Sequence, residues 1–199
     1  MFDSLLALDT NLLIEARTLV GPEYARIIQI LGESVVVWCA LMLIGIWLLW
    51  TLRKDNSPKI AALQIFMTII LTFFFYTMIN FGIDKWRPSP QDVVWGIAPL
   101  IPHPLDNSFP SGHALFMAGL IVGLFRFYPR YPLLWISLFF GLITVSARVI
   151  GWVHYPGDII GWWFFGGIGA YISSIIIDRV FFRQFIFAPI ITLIGFFRL

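Results

Sequence analysis

The chain has 199 residues, 59% of them hydrophobic, 18% aromatic and only 12% charged. Soluble domains carry about 25% charged residues, so this composition excludes the surface of an ordinary soluble protein. A net charge of +2 gives no footing for nucleic-acid binding, and a single cysteine, Cys39, excludes an internal disulfide.

Asp3 stands where the basic region of a signal peptide belongs, and the first basic residue is Arg17, so the N-terminus does not read as a cleavable signal. The stretch Leu5–Ile14, interrupted by Asp9 and Asn11, predicts a short interfacial helix. Leu19–Leu31 is mixed and also reads as interfacial. Five apolar runs follow that suit a bilayer core, which takes about 20 helical residues: Ser34–Leu52, Ile60–Ile83, Ala114–Tyr128, Leu133–Ile150 and Ile159–Ile177. A last run, Phe181–Phe197, is a sixth span or a helix lying on the bilayer. Each span must satisfy its own backbone hydrogen bonds in lipid. The expected class is therefore all-α: a polytopic membrane helix bundle of five to six transmembrane helices with an interfacial N-terminal helix. One integral-membrane domain is expected over 1–199, with 1–31 interfacial.

The loops alternate in charge. Arg53, Lys54 and Lys59, then Arg126 and Arg130, then Arg179 and Arg183 fall on one side and read as topology anchors. The positive-inside rule makes that side cytoplasmic. All three histidines, His103, His113 and His154, fall on the other side, toward the periplasm or exterior of an inner (cytoplasmic) membrane. Trp152, Trp162 and Trp163 read as an aromatic belt. Gly119, Gly123, Gly166, Gly167 and Gly169 read as close-packing positions between helices.

On the histidine side the topology gathers three polar groups. Lys85-Trp86-Arg87-Pro88 follows the second run; Ser111-Gly112-His113 opens the third; Arg148, His154 and Asp158 straddle the turn between the fourth and fifth. Free N–H groups at a helix start suit an oxyanion. A guanidinium fork matches phosphate oxygens. A histidine beside a carboxylate is a positioned nucleophile or base. The set reads as phosphate chemistry with no metal and no cofactor; the residues themselves leave open which imidazole attacks. His103 reads as a plain polar contact or a headgroup neighbour, Asp106 as a turn cap with Asn107 and Ser108, and Lys85 as either an anchor or a phosphate contact.

These segments resemble the motifs of the type 2 phosphatidic acid phosphatase superfamily of integral-membrane lipid phosphatases. The second motif, PSGH, is whole as Pro110–His113. The third, an arginine, five residues, a histidine, three residues and an aspartate, is Arg148, His154 and Asp158. The first ends in Arg-Pro, matched by Arg87-Pro88. The motifs occupy roughly residues 80–158. Two positions depart: Asn80 stands where the first motif has lysine, and Ala147 where serine precedes the third-motif arginine. The resemblance implies that His154 attacks phosphorus to form a phosphohistidine and that Asp158 holds its other ring nitrogen. It implies that His113 protonates the leaving oxygen and then activates water. Arg87, Arg148, Ser111 and Gly112 would hold the phosphoryl oxygens.

Leu100-Ile101-Pro102-His103, followed by Asp106 and Ser108, resembles the subgroup that hydrolyses undecaprenyl pyrophosphate. The expected partners are a membrane lipid phosphate and the bilayer. Phosphatidylglycerophosphate, phosphatidic acid and lipid A phosphates are alternative substrates, and phosphotransfer to a lipid hydroxyl an alternative reaction. From another class, a non-catalytic lipid-binding protein is supported only by Asn80. A transporter lacks the mid-membrane charges of an ion pathway.

Overall fold

The computed structural model of the chain describes residues 2–53, 57–83, 85–88, 98–103, 107–109, 111–179, 189–190 and 192–193. Pro110 and Asp106 lie outside them, and of the run Phe181–Phe197 only 189–190 and 192–193 are described, as helix. The described elements are helical: α1 (Phe2–Thr18), a 3₁₀ turn (Pro22–Tyr24), α2 (Ala25–Glu33), α3 (Val35–Arg53), α4 (Ser57–Gly82), α5 (Gly112–Phe127), α6 (Tyr131–Ile150) and α7 (Pro156–Asp178). Each of the five expected runs is one helix, α3 to α7. Three of them, α4, α6 and α7, are long and apolar enough by themselves to cross a membrane. The pair Pro22–Glu33 and Val35–Leu49, bent by 43° at Ser34, meets the same test only jointly.

α5 is shorter, at 16 residues, or about 24 Å of helix. Its shortness fits its place. It is the central helix, packed against α4, α6 and α7, with α3 also touching it. One core seam joins Cys39, Met42 and Ile46 of α3 to Ile65 and Ile69 of α4 and to Met117, Leu120 and Leu124 of α5. A second joins Leu115 and Ala118 of α5 to Val145 of α6 and Ile159 of α7. Close approach of α4 and α5 depends on two of the expected glycines. A Cβ at Gly119 would stand 2.9 Å from the Ile69 Cα, and one at Gly123 would stand 3.2 Å from the Ile65 Cα. Gly167 has nothing within 4 Å of such a Cβ, so the packing reading does not extend to it.

The turn from α6 to α7 aims the histidine side. The N–H of Val153 donates to the Arg148 carbonyl (3.0 Å) and that of Trp152 to the Val149 carbonyl (3.0 Å). These are the paired bonds of a Schellman ending, with the left-handed position filled by Trp152 at φ 66° instead of the usual glycine. A left-handed non-glycine residue costs about 1–2 kcal/mol. Burial of the whole indole against Leu13, Ile14, Val149 and Tyr155 offsets that cost. Trp152 is therefore not part of an aromatic belt: it is 0% exposed and pins the turn to α1.

Arg17 also holds α1 in place. It is buried, and its guanidinium donates to the Ala98 carbonyl through Nε (3.1 Å) and Nη2 (3.0 Å) and to the Val20 carbonyl (2.8 Å). Together these bonds fasten the end of α1 to the segment between α4 and α5. Ile101 adds to this fastening: its N–H donates to the Gly151 carbonyl (3.1 Å), and its side chain packs over Gly32 and Gly151.

Candidate active site

Four charged or titratable side chains meet in one cavity. Arg87, His113, Arg148 and His154 line a space of about 230 Å³ with Gly112, Val35, Val36, Phe73, Tyr76 and Phe116. One wall is basic and the other apolar, and Val36 and Phe73 of the apolar wall are also exposed on the flank of the bundle. The polar wall is assembled from three places: the segment after α4, the first turn of α5, and the end of α6 with its turn.

His113 sits in that first turn because α5 begins at Gly112, two residues before the apolar run. Ser111 precedes it with extended backbone, and its side chain does not cap the helix. The N–H groups of the first turn have no partners within the helix. The Ser111 hydroxyl is fully buried with no hydrogen-bond partner among the described residues, and so is the Arg148 Nε. A buried donor left unmade costs about 1–3 kcal/mol. Two such donors together prepare a place for an acceptor-rich group.

His154 is 1% exposed. Its Nε2 lies 3.1 Å from Arg87 Nη1. A guanidinium only donates, so Nε2 accepts and the ring proton resides on Nδ1. Arg87 also donates to the Val153 carbonyl (3.3 Å). Burial, chiefly, pushes the His154 imidazole down to about 4; Arg87 and Arg148 push the same way, and Asp158 only partly opposes them. At neutral pH the ring is uncharged, with its lone pair on the nitrogen that faces the cavity.

Asp158 is fully buried behind that ring. Its Oδ2 stands 3.7 Å from His154 Nδ1, beyond hydrogen-bond length. The expected direct bond is replaced by a relay. Ser108 Oγ lies 3.3 Å from His154 Nδ1 and donates to Asp158 Oδ2. The N–H of Tyr155 donates to the same oxygen (3.0 Å). Lys85 Nζ occupies the other oxygen, Oδ1, at 2.6 Å. Lys85 is paired with Asp158 and is not among the residues that line the cavity.

Asn80, in the place of the family's lysine, does not line the cavity. Its backbone carbonyl accepts from Asn107 Nδ2 (3.0 Å). His103 is half-buried and outside the lining as well. Two residues of the site were not anticipated. Ser108, which reads in the sequence as a turn residue and as part of the subgroup stretch, bridges His154 and Asp158. Asp9 was read as an interruption of an apolar helix, yet it accepts from Gly157 N (2.6 Å) and Lys85 Nζ (2.9 Å). Among the described residues no three His, Cys, Asp or Glu side chains converge as an ion-binding group. The Asp158 oxygens are already engaged by Ser108, Tyr155 and Lys85.

The chain is similar to known membrane phosphatases. The chain is 28% identical over 159 residues to an undecaprenyl-diphosphatase, BcrC, of Bacillus subtilis (strain 168), covering 79% of this chain and 72% of the relative. It is 25% identical over 187 residues to a lipid A 1-phosphatase of Rhizobium etli, covering 88% and 80%. Among solved structures, a transmembrane phosphatidylglycerolphosphate phosphatase of Bacillus subtilis of the PAP2 type superposes with a TM-score of 0.64 at 19% identity, over 89% of this chain and 88% of that one. This last likeness bears on the fold. The family model described as the PAP2 superfamily matches residues 61–182, which hold His113, His154, Asp158 and both arginines of the cavity, and the chain belongs to that superfamily.

Proposed function

We propose that this protein is a multi-pass membrane lipid phosphatase that removes phosphate from a phosphomonoester or pyrophosphate lipid through a phosphohistidine on His154. The observation that carries the reading is the state of that imidazole: buried, neutral, and held with its Nε2 lone pair toward a basic cavity. A phosphoryl group entering there meets Arg87, Arg148, the Ser111 hydroxyl and the N–H groups at the start of α5. Arg87 then turns from the ring nitrogen to a phosphoryl oxygen.

In the first half-reaction the Nε2 lone pair forms the N–P bond, the bond from phosphorus to the leaving oxygen breaks, and His113, an imidazolium once the phosphate dianion is bound, gives that oxygen its proton and becomes neutral. The imidazolium charge that develops on His154 is balanced by Asp158, directly and through Ser108. In the second half-reaction His113 takes a proton from water as the water oxygen bonds to phosphorus. The N–P bond then breaks and free phosphate leaves with His154 neutral again. The arginines stabilise the charge of both transition states.

Undecaprenyl pyrophosphate is the substrate we favour. The relative with that substrate in its name covers most of this chain, and the apolar wall of the cavity leads to the exposed flank of the bundle, where a lipid chain can remain. The test is phosphate release by the purified protein in detergent. Undecaprenyl pyrophosphate, phosphatidylglycerophosphate, phosphatidic acid and a lipid A phosphate are compared, each with EDTA. Release from undecaprenyl pyrophosphate at the highest kcat/KM, undiminished by EDTA, is expected. Activity abolished by EDTA and restored by magnesium overturns the metal-free mechanism; a higher kcat/KM on another lipid reassigns the substrate.

The site is expected to face the periplasm or exterior of the inner membrane, because the basic loops lie at the other ends of the helices. Trp86, beside Arg87, is 63% exposed. With Cys39 replaced by serine, Trp86→Cys should react with a membrane-impermeant thiol reagent in cells whose outer barrier, if any, is opened. Reaction only after lysis reverses the orientation.

A further inference from the structure

The N-terminal helix reaches the site through a three-residue charge chain. Lys85 Nζ stands 2.6 Å from Asp158 Oδ1 and 2.9 Å from Asp9 Oδ2, and 4.6 Å above the Tyr155 ring. Asp9 Oδ1 accepts the N–H of Gly157 at 2.6 Å, in the first turn of α7, where a negative charge also favours the helix dipole. The approach is close: a Cβ at 157 would stand 2.7 Å from Asp9 Oδ2 and would displace the carboxylate. The Lys85 backbone is fixed as firmly. Its N–H donates to Asn107 Oδ1 (3.2 Å), its carbonyl accepts from Ser108 N (2.6 Å), and Trp86 bridges Asn107. The same short ladder therefore delivers Ser108 to one oxygen of Asp158 and Lys85 to the other.

This arrangement poses an electrostatic problem. On the reading above, Asp158 must balance the positive charge that grows on His154 as the N–P bond forms. A cation 2.6 Å from Asp158 opposes that. Burial disfavours the Lys85 ammonium, but the Asp158 and Asp9 carboxylates outweigh it and hold its pKa above the usual value, so the cation stays charged. We propose that Asp9 is a positioning residue of the active site: it neutralises Lys85, so that Asp158 keeps its net negative charge for the imidazolium of His154 while Lys85 fixes its orientation. Helix α1 is on this account a working part of the catalytic centre, and its attachment to the membrane is a separate property.

The proposal rests on the phosphohistidine reading, and the experiment separates the two. Asp9→Asn removes the charge but keeps an amide oxygen for Gly157 N. It should lower kcat about 10-fold or more, the usual effect of losing an outer partner of a reacting group, with KM within about 2-fold because Asp9 lies outside the phosphate cavity. Adding Lys85→Met removes the uncompensated cation and should recover a good part of that loss. Asp9→Glu should retain more activity than Asp9→Asn. The proposal is overturned if Asp9→Asn stays within about 2-fold of wild type, or if the double variant is no better than the single one. A single variant that melts far below wild type also overturns it, because Asp9 is then a structural residue. Failure of the reading underneath looks different: His154→Ala would retain activity.

Discussion

His154→Ala should abolish phosphate release from every lipid substrate and leave no acid-labile phosphoenzyme. The imidazole sits at the meeting point of all three polar segments. Its Nε2 is 3.1 Å from Arg87 and its Nδ1 is 3.3 Å from Ser108. His113 is also an imidazole in that cavity, but among the described residues no carboxylate is found against its ring to hold it. Removing a nucleophile typically costs about 10⁴-fold or more in kcat. The measurement is a single-turnover assay with a 32P-labelled lipid, quenched in base to preserve phosphohistidine. Ser108→Ala is the informative companion. It should leave the phosphoenzyme detectable but slow its formation, because Asp158 then faces Nδ1 across 3.7 Å with nothing between. An His154→Ala protein that still accumulates a phosphoenzyme would move the nucleophile elsewhere.

Much of this centre was legible in the sequence because its parts are local. The spacing of Arg148, His154 and Asp158 spans one turn between two helices, and the run from Ser111 to His113 is the start of another. Apolar runs of helical length located α3 to α7 to within a few residues. What escaped was long-range. Asp9 lies 76 residues from Lys85 and 148 from Gly157, and nothing in its neighbourhood in sequence announces a partner. Ser108 was hidden differently: a serine after an asparagine reads as a turn, and only the bridge between Trp86 and Asn107 turns it toward Asp158. Trp152 misled because aromatic residues between spans are usually interfacial. The left-handed backbone at Trp152, which tucks the indole inward, is set by burial against α1 and not by local preference. The direct bond from Asp158 to His154 that the resemblance implies is also only approximate, since the two stand 3.7 Å apart with the Ser108 hydroxyl reaching both.

His113→Ala should separate substrates by their leaving groups. His113 stands in the first turn of α5, in the cavity that holds His154 and both arginines. On the proposed reading, a lipid tail lying on the apolar wall, beside Phe73 and Phe116, would bring its oxygen toward that turn. General acid catalysis contributes about 10²–10⁴-fold when the leaving group is an alkoxide. The lipid monophosphate that leaves a pyrophosphate lipid, or p-nitrophenolate, is far less basic and needs little of that help. The ratio of wild-type to His113→Ala rate for phosphoenzyme formation should therefore be large for phosphatidic acid and much smaller for both undecaprenyl pyrophosphate and p-nitrophenyl phosphate. Hydrolysis of the phosphoenzyme behaves otherwise. It uses the same imidazole to accept a proton from water, whichever group has left, so its rate should drop by one common factor for all three substrates. Under steady-state conditions the variant should then accumulate phosphoenzyme on the substrates with good leaving groups and little on phosphatidic acid. Equal losses in the first half-reaction across the series would remove His113 from the leaving oxygen. Loss of the phosphoenzyme on every substrate, with His154→Ala retaining it, would exchange the two roles.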